Sequence, residues 1–256
     1  MHSPDELKQL VDERLEELEL WPQLHGQAES VRYSLAVGGK RIRPVIALAV
    51  GEALCAPLEQ VMPAALALEL IHTFSLVHDD LPAMDDDEER RGHPSTWKQF
   101  GEGVGVLAGD ALQAEAFRLA ASYPTTEVSR ELAEATLGMI GGQYLDTMVA
   151  DADLEAVHRL KTGCLFTASV TLALWAAGVP AAEQREWRAF ADELGLLFQI
   201  VDDILDDDGY VETEGRDGAR RLADAAAERA RERLEAVAAD TSVLRGIVDG
   251  LAVRTA

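Results

Sequence analysis

Two stretches of the chain gather carboxylates at the ends of apolar runs. The first, DDLPAMDDD, places Asp79, Asp80, Asp85, Asp86 and Asp87 within nine positions. The second, VDDILDDDG, places Asp202, Asp203 and Asp206 together and runs on into Asp207 and Asp208. Neither has histidine or thiolate neighbours at ligand spacing, so the donors are oxygens, which suit a hard cation. Magnesium is the natural candidate. It keeps several waters and shares one or two carboxylates with substrate phosphates. An EF-hand calcium loop does not fit, because its spacing and its loop glycine are absent. The bland alternative is a pair of solvated helix ends in an acidic protein. Two such clusters, each closing a strongly apolar helix, weigh against it, since aspartates at a helix C-terminus oppose the macrodipole unless cations join them.

A metal-bound polyphosphate would need basic partners. GGKRIRP supplies Lys40, Arg41 and Arg43 just before a helix expected to open at Pro44, a suitable seat for an anion. Arg90 and Arg91 follow the first acidic cluster. Lys161, with Thr162 beside it, interrupts an apolar stretch and is one of only four lysines. GGQYLD sets Gln143 and Asp146 three apart, on one helical face. Gln199, Asp202, Asp203 and Asp206 share a face of another helix. His72 precedes Asp79 by seven positions, nearly two turns, and so lies on the same stripe.

The elements that must position these groups read as helices throughout. Apolar residues recur with a period near 3.6, and no convincing alternating strand appears. Expected helices cover Asp5 to Leu20, Gln27 to Ala36, Pro44 to Ala53, Pro63 to Asp80, Val104 to Ser122, Ser129 to Ala150, Asp153 to Ala177, Ala181 to Asp207, Ala219 to Ala238 and Thr241 to Val253. Pro44 and Pro63 suit first helical positions. Pro82 should end the helix that carries Asp79 and Asp80, leaving Asp85 to Asp87 on a loop or a restarted turn. The links are short and no repeat or low-complexity linker interrupts them. The expected architecture is therefore all-α, one domain over residues 1–256.

Composition narrows the partners. The 256 residues are 48% hydrophobic, with 46 acidic against 23 basic side chains and a net charge of −23. That balance argues against nucleic acid or anionic lipid as the main partner. Cys55 and Cys164 are the only cysteines, which fits a reduced, cytoplasmic setting without a disulfide frame. The N-terminal stretch is charged and amphipathic, with no signal-peptide core. The uncharged run from Thr162 to Val179 contains Thr, Ser and Gly, so it reads as a buried helix, not a membrane span.

In order, GGKRIRP, ELIHTFSLVHDDLPAMDDDEERRGHPS, LAGDAL, GGQYLD, KTG and FQIVDDILD resemble the trans-isoprenyl diphosphate synthases, the polyprenyl synthetases that include farnesyl and geranylgeranyl diphosphate synthases. The resemblance spans roughly residues 38 to 206. It implies a single-domain isoprenoid-synthase bundle around a central cavity, usually as a homodimer. It also implies magnesium, three ions with substrate bound, and condensation of isopentenyl diphosphate with an allylic diphosphate (dimethylallyl, geranyl or farnesyl). By motif position, Asp79, Asp80 and Asp85 would be one set of metal ligands and Asp202, Asp203 and Asp206 the other. Arg90, Lys161 and Gln199 would face the allylic diphosphate. Lys40, Arg43, His72 and Arg91 would hold isopentenyl diphosphate. Thr162, Gln143 and Asp146 would line the reacting end. Phe74 and Ser75 would set product length, and the aromatic Phe74 implies farnesyl diphosphate. Geranylgeranyl diphosphate is the next product.

The chain departs from the pattern after Asp206. Many relatives carry a loop with two lysines there, whereas DGYVETEGRDGARRLADAAAERARERL has none. Arg216, Arg220 and Arg221 are the cations available, and arginine is not a drop-in lysine. A weakly active or non-catalytic subunit of a heteromeric synthase is thus one alternative. A terpene cyclase is another, opposed by the intact DDILD.

Overall fold

The computed structural model describes residues 1–254. Helix α1 (Pro4–Glu16) begins on a capping box, in which Glu6 N–H donates to the Ser3 hydroxyl while Ser3 N–H donates to the Glu6 carboxylate. Helices α2 (Gln27–Ala36), α3 (Ile42–Ala53) and α4 (Leu58–Asp79) follow. A two-residue hairpin, β1 (Glu89–Arg90) and β2 (His93–Pro94), turns through Arg91 and Gly92, both at positive φ. Then come α5 (Thr96–Phe100), α6 (Glu102–Ala120), α7 (Glu127–Met148) and α8 (Leu154–His158). A π-helical turn, Arg159–Gly163, runs directly into α9 (Cys164–Ala176). Helices α10 (Arg185–Asp206), α11 (Tyr210–Glu214), α12 (Arg216–Glu235) and α13 (Ser242–Val253) complete the described chain.

The all-α expectation holds, and apolar coverage decides where each helix sits. Helices α4 and α9 are apolar all round and lie in the interior. Helix α9 packs on α3, α4, α7 and α10, while α12 covers α10 and α6 covers α4. Helix α10 is amphipathic: Trp187, Phe190, Leu194, Leu197, Val201 and Ile204 face inward. Helix α4 is long and apolar enough to cross a bilayer, but 72% of its apolar window is buried within the protein itself.

Two helix starts place a proline otherwise than expected, and the helix expected over Asp153 to Ala177 is divided by the π turn. Helix α3 opens at Ile42, which puts Pro44 within its first turn. Helix α4 opens at Leu58, so Pro63 lies inside it. Proline there should break the ladder, because it lacks a donor and crowds the preceding turn. Tyr123 repairs it. Its hydroxyl accepts from Ala64 N–H at 3.0 Å and donates to the Gln60 carbonyl at 2.8 Å, bridging the two groups that the helix would otherwise join directly. Burial pushes the Tyr123 phenol up to about 12, even with Ala64 N–H opposing.

Candidate active site

The C-terminal ends of α4 and α10 present the two acidic clusters. Helix α4 stops at Asp79, and the chain turns through Leu81 to Asp85, where Asp85 N–H donates to the Asp79 carbonyl at 2.9 Å. The turn after Pro82 is the one expected. Asp80 is 2% exposed and receives Arg90 Nε at 2.7 and 3.0 Å, with Arg90 Nη2 alongside. The middle aspartate of the second cluster is placed in a parallel way. Asp203, 3% exposed, accepts from Gln199 Nε2 at 2.7 Å and from Tyr210 N–H at 2.9 Å, and His158 Nε2 stands 3.7 Å away. Gly209 is required at this bracket: it sits at φ 52°, and a Cβ there would lie 2.2 Å from Asp203 Oδ2.

The outer aspartates are different. Asp79, Asp85, Asp202 and Asp206 have no side-chain hydrogen bond or ion pair among the described residues. Burial raises Asp79 to about 6; Lys161 opposes the rise and Asp85 adds to it. Burial likewise raises Asp202, with Asp206 adding and Lys40 opposing. Each cluster thus offers one partly desolvated carboxylate, Asp79 or Asp202, with an exposed carboxylate, Asp85 or Asp206, repelling it. Among the described residues no three His, Cys, Asp or Glu side chains form a ready-made metal cage. These donors fit magnesium in its usual manner, in which water and a phosphate ligand complete the coordination.

The two clusters open onto adjoining cavities. One, of about 630 Å³, is lined by Asp79, Lys161, Thr162 and Gln143 and, further in, by Phe74 and Ser75. The other, of about 600 Å³, is lined by Lys40, Arg43, His72, Arg91, Phe198 and Asp202. Arg43, His72 and Thr162 belong to both. Several polar atoms here are buried without partners: Arg43 Nε and both side-chain atoms of Gln143. Arg43 is 8% exposed, stacks its guanidinium 4.7 Å over the Phe166 ring, and is lowered to about 10 by burial, with Glu69 and Asp202 opposing. An arginine buried with an unsatisfied donor awaits an anion. His72 is held well below the usual histidine range by burial and by the surrounding arginines, Arg43 first. It faces the cavities as a neutral imidazole.

Close backbone contact sets this geometry. A Cβ on Gly142 would lie 2.2 Å from Lys161 N, so α7 presses directly on the π turn that presents Lys161 and Thr162. Lys161 Nζ reaches Asp146 at 2.5 Å. Gly39 allows Arg91 to lie against the glycine segment, with Nη1 2.6 Å from where a Cβ would be.

Five positions depart from the sequence-based placement. Asp80 and Arg90 hold each other, and Asp203, expected as a metal ligand, is held by Gln199 and Tyr210 N–H, as described above. Arg41 is 5% exposed and spent on Asp12 (2.9 Å), Glu69 (2.6 Å) and the Leu35 carbonyl (2.6 Å), so it belongs to the scaffold. Gln199 turns its amide to Asp203 and lines neither of the two cavities. His158 drew no notice in the sequence; only its position, three residues before Lys161, could have marked it. After Asp206, Arg216 pairs with Asp207 at 2.8 Å, and Arg220 Nε is buried without a partner.

Comparison with known proteins places the chain in a family. The family model described as Polyprenyl synthetase matches residues 26–225. The farnesyl diphosphate synthase of Bacillus subtilis is 42% identical over 203 residues, covering 73% of this chain and 69% of that protein. The geranylgeranyl diphosphate synthase of Cyanophora paradoxa is 42% identical over 193 residues, covering 70% and 64%. A crystal structure of an FPP/GFPP synthase from Zymomonas mobilis superposes with a TM-score of 0.84 at 29% identity, over 97% of each chain. The matched residues contain both acidic clusters, GGKRIRP and KTG, and the chain belongs to the polyprenyl synthetase family of prenyltransferases.

Proposed function

We propose that this protein condenses isopentenyl diphosphate with an allylic diphosphate to give a short-chain trans-prenyl diphosphate, farnesyl diphosphate first. The observation that carries this reading is the pairing of two adjoining cavities, one largely apolar with unpaired Asp79 at its lining, the other basic with unpaired Asp202, and orphaned Arg43 and Gln143 lining them. A single helical domain is part of the proposal, supported by one continuous apolar cluster running from α1 to α13. So is a cytoplasmic location, supported by two free thiols.

The roles follow from placement. Asp79 and Asp85 on one side, and Asp202 and Asp206 on the other, would hold magnesium, three ions when substrate is present. Bound there, magnesium supplies Lewis-acid stabilisation of the leaving diphosphate. Lys161 and Thr162 orient the allylic diphosphate at the mouth of the larger cavity. Its carbon–oxygen bond breaks, and the electron pair leaves with diphosphate. Lys40, Arg43 and Arg91 seat isopentenyl diphosphate in the basic cavity, and neutral His72 contributes a hydrogen bond without charge. The double bond of isopentenyl diphosphate attacks the allylic carbon, one proton is lost, and the chain has grown by five carbons. Apolar walls keep water from the cation. Phe74, packed edge-to-face on His78 at 5.0 Å, limits the depth available to the chain. Geranylgeranyl diphosphate is a second reading, favoured by relatives of equal identity with that product.

The test is an assay with magnesium, isopentenyl diphosphate and five-, ten- or fifteen-carbon allylic diphosphates. Longer linear diphosphates are expected. Cyclic hydrocarbons would point to a cyclase, and binding without turnover to a non-catalytic subunit. Phe74→Ala is expected to lengthen the product; an unchanged distribution would remove Phe74 as the limit.

A further inference from the structure

A third cavity, of about 490 Å³, lies on the other side of α9 and the π turn. Thr162 and Leu165 face the larger of the two site cavities, whereas Gly163, Cys164, Thr167 and Ala168 face this one. It shares no lining residue with either cavity of the proposed active site.

Its two unpartnered buried polar atoms ask for the same kind of partner. Gln199 lines it and is 9% exposed. A carboxylate only accepts, so the amide nitrogen must face Asp203, and Oε1 is left buried with nothing to accept from. His158 lines it too. Its Nε2 faces Asp203 at 3.7 Å, and its Nδ1 is buried without a partner. A proton placed on the nitrogen nearest the carboxylate leaves Nδ1 an acceptor. Gln199 Oε1 and His158 Nδ1 are thus two buried acceptors without a donor; the Thr167 hydroxyl already donates to Asp192 at 3.4 Å, and the Tyr210 phenol lies beside the His158 ring. The exposed rim carries Glu134, Glu155 and Asp192, none in an ion pair among the described residues, against Arg159 as the one exposed cation. Glu131 is already taken by Arg188 and the Trp175 indole. The remaining wall is small and apolar: Ala135, Ala168, Leu196 and Cys164.

We propose that this cavity is a second binding site, for a small organic cation: an amine or guanidine carried on an apolar body. Its N–H groups satisfy Gln199 Oε1 and His158 Nδ1, its charge answers the rim carboxylates, and its body fills the apolar wall. The inference stands apart from the reaction proposed above, because it uses a different cavity.

Cys164 reports occupancy directly. Cys55 is the only other thiol and is exposed. In full-length Cys55→Ser protein, the alkylation rate of Cys164 is measured while phenethylamine, phenethyl alcohol or phenylpropionate is titrated in. The amine is expected to slow labelling saturably, with the alcohol and the carboxylate at least about tenfold weaker, the scale of one charge-assisted hydrogen bond. Gln199→Leu should weaken the amine by about tenfold. Gln199 also braces Asp203, so the surface pair Asp192→Asn and Glu134→Gln provides an independent check. It should weaken the amine while leaving the circular dichroism spectrum unchanged. Equal protection by all three compounds, no protection by any, or amine protection undiminished in the surface variant would overturn the proposal.

Discussion

Asp80 and Asp203 hold corresponding places in their clusters, and both are almost inaccessible, at 2% and 3%. Each is locked by its own neighbours, Asp80 by Arg90 and Asp203 by Gln199, Tyr210 N–H and His158. Their flanking partners are left bare, and bare carboxylates near one another favour a shared cation. This division of labour gives opposite mutational signatures. Asp79→Ala and Asp202→Ala remove a strained, unpaired charge, so melting temperature should hold or rise slightly, while turnover falls at least about 100-fold, or roughly 2.7 kcal/mol of barrier. Asp80→Ala leaves Arg90 facing an empty, half-buried slot. It should cost about 3 kcal/mol of stability, near the low end for breaking a buried pair, because Arg90 keeps some water. Urea denaturation beside steady-state rates separates the two classes. An Asp80→Ala protein of native stability that has lost only activity would refute the division. The sequence could list the aspartates but not rank them. Ranking depends on the hairpin that carries Arg90 and the short helix that begins at Tyr210, and both are set by contacts beyond the local pattern.

Among the elements, the long helices were legible because each buries a stripe or a whole surface, and periodicity records burial. Pro63 misled because its compensation comes from far along the chain, from Tyr123 after α6, which no local rule can supply. The bridge is testable. Tyr123→Phe leaves Gln60 C=O and Ala64 N–H unserved, at about 1–3 kcal/mol, with a melting shift of roughly 2–4 °C for each kcal/mol in a chain of this size. The pH dependence has a definite sign. The phenol is held neutral in the fold, with its pKa raised to about 12 from an unfolded value of about 10. Its contribution is complete below the unfolded value and is lost as pH climbs from there toward 12. Relative to Tyr123→Phe, the native protein should lose its advantage across that window and nowhere lower. Gly142 makes a second element-scale case. An alanine there would drive Cβ to within 2.2 Å of Lys161 N, so α7 and the π turn must part. About 1–3 kcal/mol of destabilisation is expected. A rise in KM for the allylic diphosphate should accompany it, because Lys161 and Thr162 move with the turn. Normal kinetics in a destabilised Gly142→Ala protein would detach that turn from substrate binding.

At the scale of the whole molecule, the net charge of −23 keeps copies apart at long range, yet α6 and α7 expose an apolar strip. Leu107 is 56% exposed, Leu137 69%, Tyr144 62% and Met148 59%, and Val106 and Ile140 lie among them, whereas the other exposed apolar side chains, such as Leu205 and Val253, are scattered over other elements. Tyr144 and Met148 also line the larger site cavity, as do Val106 and Ile140, so that cavity has a wall made partly of surface residues. A second copy seated on this strip would remove it from water and shut that wall, as in the homodimer that the resemblance implies. Screening matters to the outcome. The Debye length falls from about 30 Å at 0.01 M salt to about 8 Å at 0.15 M, so like-charged copies should associate more readily as salt rises. Sedimentation velocity at the two ionic strengths should show two-chain particles, more completely at the higher one. Leu107→Lys combined with Leu137→Lys should yield single chains with unchanged circular dichroism, because neither residue lines a cavity or enters the core. Those single chains should turn over more slowly and release a broader range of products, because the larger cavity would open to solvent along Tyr144 and Met148. Native protein that sediments as one chain at both salts, with full activity, would show that the strip has another purpose and that the cavity closes unaided.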